Sequence, residues 1–292
     1  MLRPDVAIIA NPIAGRGKAK RLADQLANEL SLLGIRSQLH WTVERGHAEV
    51  LARGEVKKGI GCIAVCGGDG TVNEVVNALA WSDVPLAILP GGRCNDLAKA
   101  LRIPCSAKYI ANSIARMKTM RIDLGEIGGR AFATVATLGF DAEVSRIVSE
   151  GEMRVHGMPA YVLAALRLLA TYNFPQVRIE ADFGEFNGRI LLAATANTPA
   201  YGGGMVIAPQ ANVMDGLLHM CLIRAAPKVT ILILFPAVFF GWHRFHSAVS
   251  SHTVTNVKVS SPQQLWLYAD GEKMRPTPTT ISVMSKALCV VV

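Results

Sequence analysis

From residue 5 to about residue 101 the chain alternates short apolar runs with stretches of helical spacing, joined by short links. Repeated strand–helix alternation of this kind builds a doubly wound, mostly parallel sheet. Residues 6–10, 36–41, 60–66 and 86–89 read as strands. Helices are expected over 18–33, where Leu22, Leu26, Leu30 and Leu33 fall on one face before Gly34, over 47–58, over 72–81 and from 95 to 101. Three of the strands run into glycine-bearing loops: residues 11–15, 67–71 and 90–96. In a parallel sheet these loops emerge together at the carboxyl edge, where such folds bind ligands.

The middle loop, Gly67-Gly68-Asp69-Gly70-Thr71, leads straight into a helix. Glycines let the backbone turn tightly and approach a ligand closely. The helix start offers free N–H groups and the positive end of a dipole to an anion. Thr71 is expected to cap that helix and touch a phosphate oxygen. Asp69 would repel a phosphate unless a Mg²⁺ ion stood between them. A plain strand–turn–helix connection remains the simpler alternative for this loop alone. Neither Gly-x4-Gly-Lys-Ser/Thr nor Gly-x-Gly-x-x-Gly follows a strand, which disfavours a P-loop NTPase or a dinucleotide-binding dehydrogenase.

After about residue 121 the pattern changes to mostly consecutive strands, over 131–138, 176–183, 189–196, 217–223, 254–260, 264–269 and 279–284. Helical insertions are expected at 158–171 and 228–242. The division is therefore an α/β domain over 1–121, to which residues 285–292 return, and an antiparallel β-rich domain over 122–284. A ligand cleft is expected between them.

The 292 residues are 51% apolar and carry a net charge of +8. Disorder is excluded by this composition. A basic balance suits nucleotide phosphates or anionic lipid headgroups, and without a dense Lys/Arg tract nucleic acid is not expected. The six cysteines form no Cys-x-x-Cys pair and read as reduced thiols. No secretory signal is read at the start, and the richest apolar window, 229–242, falls short of a membrane span. A cytoplasmic protein, peripheral on the inner membrane face, is expected.

Asn-Pro-x-x-Gly at 11–15, Gly-Gly-Asp-Gly-Thr-x-Asn-Glu at 67–74 and Pro-Gly-Gly-x-x-Asn-Asp-Leu-Ala at 90–98 stand in order. They are followed by Asn197, Gly202-Gly203-Gly204, Pro209, Asp215-Gly216-Leu217-Leu218 and Tyr268-Ala269-Asp270-Gly271-Glu272. This series resembles the diacylglycerol kinase-like lipid kinases, a family with an NAD kinase-like fold that includes sphingosine kinases and bacterial soluble lipid kinases.

The resemblance implies an ATP- and Mg²⁺-dependent kinase. Asn11, Pro12, Gly15, Thr42, Gly67, Gly68, Asp69, Gly70, Thr71 and Asn73 would hold nucleotide, with Gly91, Gly92 and Asn95 of the fourth-strand loop. Glu74 matches the same motif, with an ordinary first-turn helix glutamate as its alternative. Asp69, Asp96 and Asp123 would organise the catalytic Mg²⁺. Asn212 through its carbonyl, Asp215 and Leu217 would hold a structural Mg²⁺, or form a simple Asp-Gly turn. Asp270 is favoured as the base that takes the proton of a lipid hydroxyl, with Glu272 second; an exposed hairpin is the alternative. Where the family usually has Thr this chain has Gly92, which implies a missing phosphate contact that Arg93 offsets. Lys99 stands where Arg is common.

On the lipid side, the apolar segment 228–242, flanked by Arg224, Lys228 and Arg244, reads either as a membrane-surface helix or as a helix buried in the fold or in a homodimer contact. Tyr161, Leu163, Leu166, Leu168 and Leu169 read as core or as an acyl-chain lining. His243, His246 and His252 read as interfacial or solvated. The competing functions are an NAD kinase-type activity and a lipid or nucleotide sensor without turnover, the latter motivated by Gly92.

Overall fold

A computed structural model describes residues 5–149 and 158–292. The first elements are Val6–Ala10 (β1), Lys18–Leu32 (α1), Ser37–Trp41 (β2), His47–Lys57 (α2), Cys62–Gly67 (β3), Asp69–Leu79 (α3), Leu86–Pro90 (β4), Asp96–Ala100 (α4) and Ala107–Arg116 (α5). Strands β2, β1, β3 and β4 lie side by side in parallel, the order a doubly wound sheet requires. Every residue of β1, β3 and β4 is buried, because helices cover both faces of a parallel sheet. In α1 the spacing of Leu22, Leu26 and Leu30 puts all three on the buried face.

The chain continues through Thr119–Ile127 (β5), Arg130–Phe132 (β6), Val135–Gly139 (β7), Phe140–Ser149 (α6), Met158–Thr171 (α7), Gln176–Ala181 (β8), Gly184–Ala196 (β9) and Leu218–Arg224 (β10). It ends with Lys228–Val238 (α8), a 3₁₀ turn at Trp242–Phe245, Val249–Val254 (β11), Asn256–Ser260 (β12), Trp266–Ala269 (β13), Glu272–Pro276 (β14) and Thr279–Val291 (β15). Pairing within this half is antiparallel, as in β7–β9, β9–β10, β8–β9 and β12–β15. An α/β domain is thus followed by an antiparallel β-rich one.

Strands β5 and β15 join the two halves. They pair from Ile281↔Ile127 to Val291↔Thr119, with a register shift between Met284 and Leu288. Beyond that shift Val290 pairs in parallel with Leu86 of β4. The sheet therefore runs unbroken in the order β14-β13-β7-β9-β8-β12-β15-β4-β3-β1-β2. One apolar cluster packs around β1, β3 and β4. Two others lie in the β-rich half, one of them against α6, α7 and α8.

The expected run 131–138 is two strands, β6 and β7, with a bend at Ala133 and Thr134 between them. Helices α5 and α6 and strands β5, β11 and β14 have no counterpart in the expected elements. Helix α3 begins at Asp69, three residues before the expected start.

Candidate active site

The three glycine loops lie backbone on backbone. Asn11 N–H donates to Cys66 O at 3.0 Å, and Gly91 N–H to Gly67 O at 2.9 Å. A Cβ on Gly15 would stand 2.1 Å from Gly91 O, and one on Gly92 only 2.3 Å from the Gly68 Cα. This corrects the expectation at Gly92: no side chain fits there, so the residue is not a lost phosphate contact but the condition for closing the loops. Arg93, the next residue, lines the cavity described below.

Gly68 is the N-cap of α3 and makes no side-chain capping bond. The first-turn N–H groups of α3 are thus directed to the loop mouth without a side-chain acceptor at the cap, as an anion site requires. Thr71 is not the cap: it is buried inside the first turn, and its Oγ1 accepts from Asn11 Nδ2 at 3.4 Å. Thr42 is buried just after β2, with its N–H donating to Ala10 O. Pro12 and Gly15 are half-buried in the first loop. The Glu74 carboxylate accepts from Gly46 N at 2.8 Å and Ala48 N at 3.0 Å, at the start of α2. It satisfies that helix end and turns away from the glycine loops.

The carboxylates divide into two places. Asp69 accepts from Asn95 N at 2.9 Å with Oδ2 and from Asp96 N at 2.6 Å with Oδ1, which caps α4. Asp96 is buried and accepts from Gly203 N at 3.2 and 3.3 Å. Burial first, and then the charge of Asp69, push its pKa up to about 6. Two hard carboxylates, both lining one cavity, are a donor set that fits a divalent cation. Asp123 does not join them. It is fully buried and accepts from Gly216 N at 2.7 Å and Lys286 N at 2.6 Å, binding β5 to the irregular stretch of β15. It belongs instead with the turn at 212–217. There Asn212 Oδ1 accepts from Met214 N at 3.1 Å, and Asp215 engages Leu217 N and His219 Nε2, both at 3.0 Å. Among the described residues no three His, Cys, Asp or Glu side chains form a metal-binding group.

Asp270, with φ at 51°, follows β13. Its Oδ2 accepts from Asn73 Nδ2 and Ala133 N, each at 2.7 Å. Its Oδ1 accepts from Thr134 N at 2.9 Å and Thr134 Oγ1 at 2.5 Å. Burial raises its pKa, and these four bonds oppose the rise. A carboxylate has about four acceptor positions, so Asp270 has none left for an incoming hydroxyl. Glu272 reaches back across to Arg45, at 3.1 Å.

Asp69, Asp96 and Asp270 line a cavity of about 860 Å³ bounded by both halves of the chain. Its lining is mostly apolar, with Val144, Leu192, Ile223 and Leu234 among the residues that form it. Helix α8 is one wall: Ile231, Leu234 and Val238 are buried, whereas Val229 and Ile233 are 69% and 68% exposed. One face of this helix thus packs inward and the other is exposed. The bare face continues into Phe240, Trp242 and Phe245. On α7, Val162 and Ala165 line the cavity, while Leu163, Leu168 and Leu169 pack into the core. The Tyr161 side chain lies outside the described residues. His243 is not solvated: it is fully buried, in contact with Ile207 O at 3.1 Å, and burial lowers its pKa. His252 stacks on Phe183 with centroids 4.0 Å apart. Sequence reasoning missed Asp141, a carboxyl on the apolar cavity wall. An acidic residue in the first turn of a helix ordinarily signals only a helix start.

A parallel α/β domain whose glycine loops meet at its carboxyl edge, joined to a β-rich domain across an apolar cavity, defines a phosphotransferase of the lipid-kinase class. The profile of the "Diacylglycerol kinase catalytic domain" matches residues 5–127, and that of the "YegS C-terminal NAD kinase beta sandwich-like domain" matches residues 134–292. The chain is 32% identical over 295 residues to a diacylglycerol kinase of Mycobacterium tuberculosis, covering 98% of this chain and 94% of that one. It is 33% identical over 254 residues to a Pseudomonas aeruginosa protein named "Probable lipid kinase YegS-like", covering 85% and 82%. A crystal structure of a diacylglycerol kinase from Bacillus anthracis shares the fold, with a TM-score of 0.76 at 20% identity over 99% of this chain and 96% of that one. The chain belongs to the diacylglycerol kinase and YegS-like lipid kinase family, and its class is that of a transferase.

Proposed function

We propose that this protein transfers the γ-phosphoryl group of ATP to the hydroxyl of a diacylglycerol-like lipid whose chains fill the cavity. The observation that carries this reading is the cavity itself, lined mostly by apolar side chains and bordered by the carboxylates of Asp69 and Asp96 beside the glycine loops. The N-terminus of α3 and the loops at Asn11–Gly15, Gly67–Thr71 and Gly91–Asn95 receive the phosphates. Asp96 and one oxygen of Asp69 would hold Mg²⁺, which supplies charge neutralisation to the phosphates. Asp69 uses one acceptor position on each oxygen for the α4 cap, so a position remains to take the proton of the attacking hydroxyl. Asp270 acts as an anchor, fixing Asn73 of α3 to the bend before β7. The turn at 212–217 is the place for a structural cation. The bare face of α8, with Lys228 and Arg244 beside it, rests on the anionic inner leaflet of the membrane.

Incubation with ATP, Mg²⁺ and a panel of lipid alcohols tests the proposal. Phosphorylated lipid is expected from the wild type, with a rate lower by about 10²–10⁴-fold in Asp69→Asn. Absence of product with every acceptor, or phosphorylation of NAD in place of lipid, would overturn it.

A further inference from the structure

Helix α3, whose first-turn N–H groups are directed to the loop mouth, is tied to the β-rich half at two points. The first is Asn73, whose Nδ2 donates to Asp270 Oδ2 at 2.7 Å. The second is Asn77, one turn further along the same face of the helix and outside every motif above. Its Nδ2 donates to Ala131 O at 3.0 Å, and its Oδ1 accepts from Ala131 N at 2.9 Å. Ala131 is the middle residue of β6, which pairs on one side only, with β5. On the open side of β6 the Asn77 amide stands where a peptide group of a further strand would be. It meets both polar groups of Ala131 at once, a two-point geometry that an apolar side chain of the same size cannot supply.

The amide is itself held. Asn77 Nδ2 also donates to Asn73 O at 3.0 Å and to Asn73 Oδ1 at 3.1 Å, which joins the two asparagines. Arg53 Nη2 of α2 donates to the Asn77 carbonyl at 3.0 Å. From Ala131 the chain runs through Phe132 into the bend at Ala133 and Thr134, whose N–H groups hold Asp270. Asn77, Ala131, the bend, Asp270 and Asn73 thus close a circuit from α3 to the β-rich half and back. Two attachments on one helix fix its rotation as well as its distance, whereas one alone leaves it free to turn.

We infer that Asn77 is a positioning residue that sets the phosphoryl group held by α3 in line with the lipid hydroxyl in the cavity. The inference rests on the kinase reading above. Asn77 does not line the cavity and touches neither ligand. What it controls is the offset between them, and a misplacement of about 1 Å can cost roughly 10²-fold in rate. A displaced phosphoryl group is also open to water. ATP and the lipid alcohol give ADP and lipid phosphate; ATP and water give ADP and inorganic phosphate. In each case the attacking O–H loses its proton as the bond from the γ-phosphorus to the bridging oxygen breaks.

The test measures lipid phosphate and inorganic phosphate formed from γ-labelled ATP with Mg²⁺ and dioleoylglycerol, or the best acceptor of the panel above, in mixed micelles. The wild type is compared with Asn77→Ala. The ratio of the two products is independent of how much of the enzyme is folded, so a loss of stability alone leaves it unmoved. In Asn77→Ala the ratio is expected to shift toward inorganic phosphate by at least about 10-fold, and kcat for lipid phosphate to fall by roughly 10- to 100-fold. ATP affinity is expected to change little. Asn77→Asp keeps the acceptor for Ala131 N–H and loses the donor; it is expected to shift the ratio by less, and carries the test if Asn77→Ala does not fold. An unchanged ratio in a variant that still phosphorylates lipid overturns the inference and leaves the kinase reading standing. So does a loss of ATP affinity that accounts for the whole fall in rate. No lipid phosphate from the wild type with any acceptor defeats the kinase reading, and the inference with it.

Discussion

Single residues here do work that their type does not announce. Gly92 is the sharpest case. Its sequence neighbourhood suggests a contact that a threonine would restore, yet its backbone lies against that of Gly68, where a Cβ would come within 2.3 Å. Gly92→Thr is therefore expected to destabilise the protein by about 2 kcal/mol through overpacking and to weaken ATP binding. Thermal unfolding and an ATP titration of the variant check this; tighter ATP binding at an unchanged Tm would refute it. The carboxylates show the same limit. Asp69 was legible from its loop, and Asp96 and Asp270 from the resemblance to the lipid-kinase family, but their individual tasks were not. What separates Asp69 from Asp270 is the number of donors already on each, and the donors to Asp270 come from residues as far away as Asn73. Asp123 shares a residue type with its expected partners and nothing of their surroundings, because its donors are Gly216 and Lys286. Asp141 carried no signal, since only the folded cavity makes its surroundings apolar.

Among elements, those buried on both faces were the readable ones. β1, β3 and β4 are continuous apolar runs, and a run of that length bounded by turn residues admits few alternatives. β14 was unreadable for the opposite reason: Glu272-Lys273-Met274-Arg275-Pro276 has no buried position, and its pairing with β13 is broken by a register shift. α6 follows β7 without an intervening residue, so no linker marks where the period changes. α8 has a two-sided environment, and its inner and outer apolar faces cannot be told apart by composition. The outer face gives a prediction at this scale. Replacing the exposed Leu232 and Ile233 together by Glu is expected to lower affinity for anionic vesicles at least about 10-fold, with little change in Tm because neither side chain is buried. Vesicle co-sedimentation beside thermal unfolding checks it, and unaltered sedimentation would remove the membrane from the account.

For the whole molecule, the two halves form one sheet rather than two tethered bodies, because β5 and β15 run through both. Asp123 stands at the irregular point of that pairing and binds two backbone N–H groups there. Asp123→Ala leaves the Gly216 and Lys286 N–H groups without their acceptor and is expected to cost about 2 kcal/mol. Denaturant unfolding measures this; a loss below about 0.5 kcal/mol, the range of an ordinary surface change, would show that the junction does not depend on it.

The parallel pairing of Val290 with Leu86 has a consequence for biosynthesis. The strand that completes the parallel sheet leaves the ribosome about 200 residues after its neighbour, some 10–40 s later at ordinary elongation rates. Until then the edge of β4 is open, so the nascent chain meets the cell with an apolar, hydrogen-bond-hungry border that chaperones must cover.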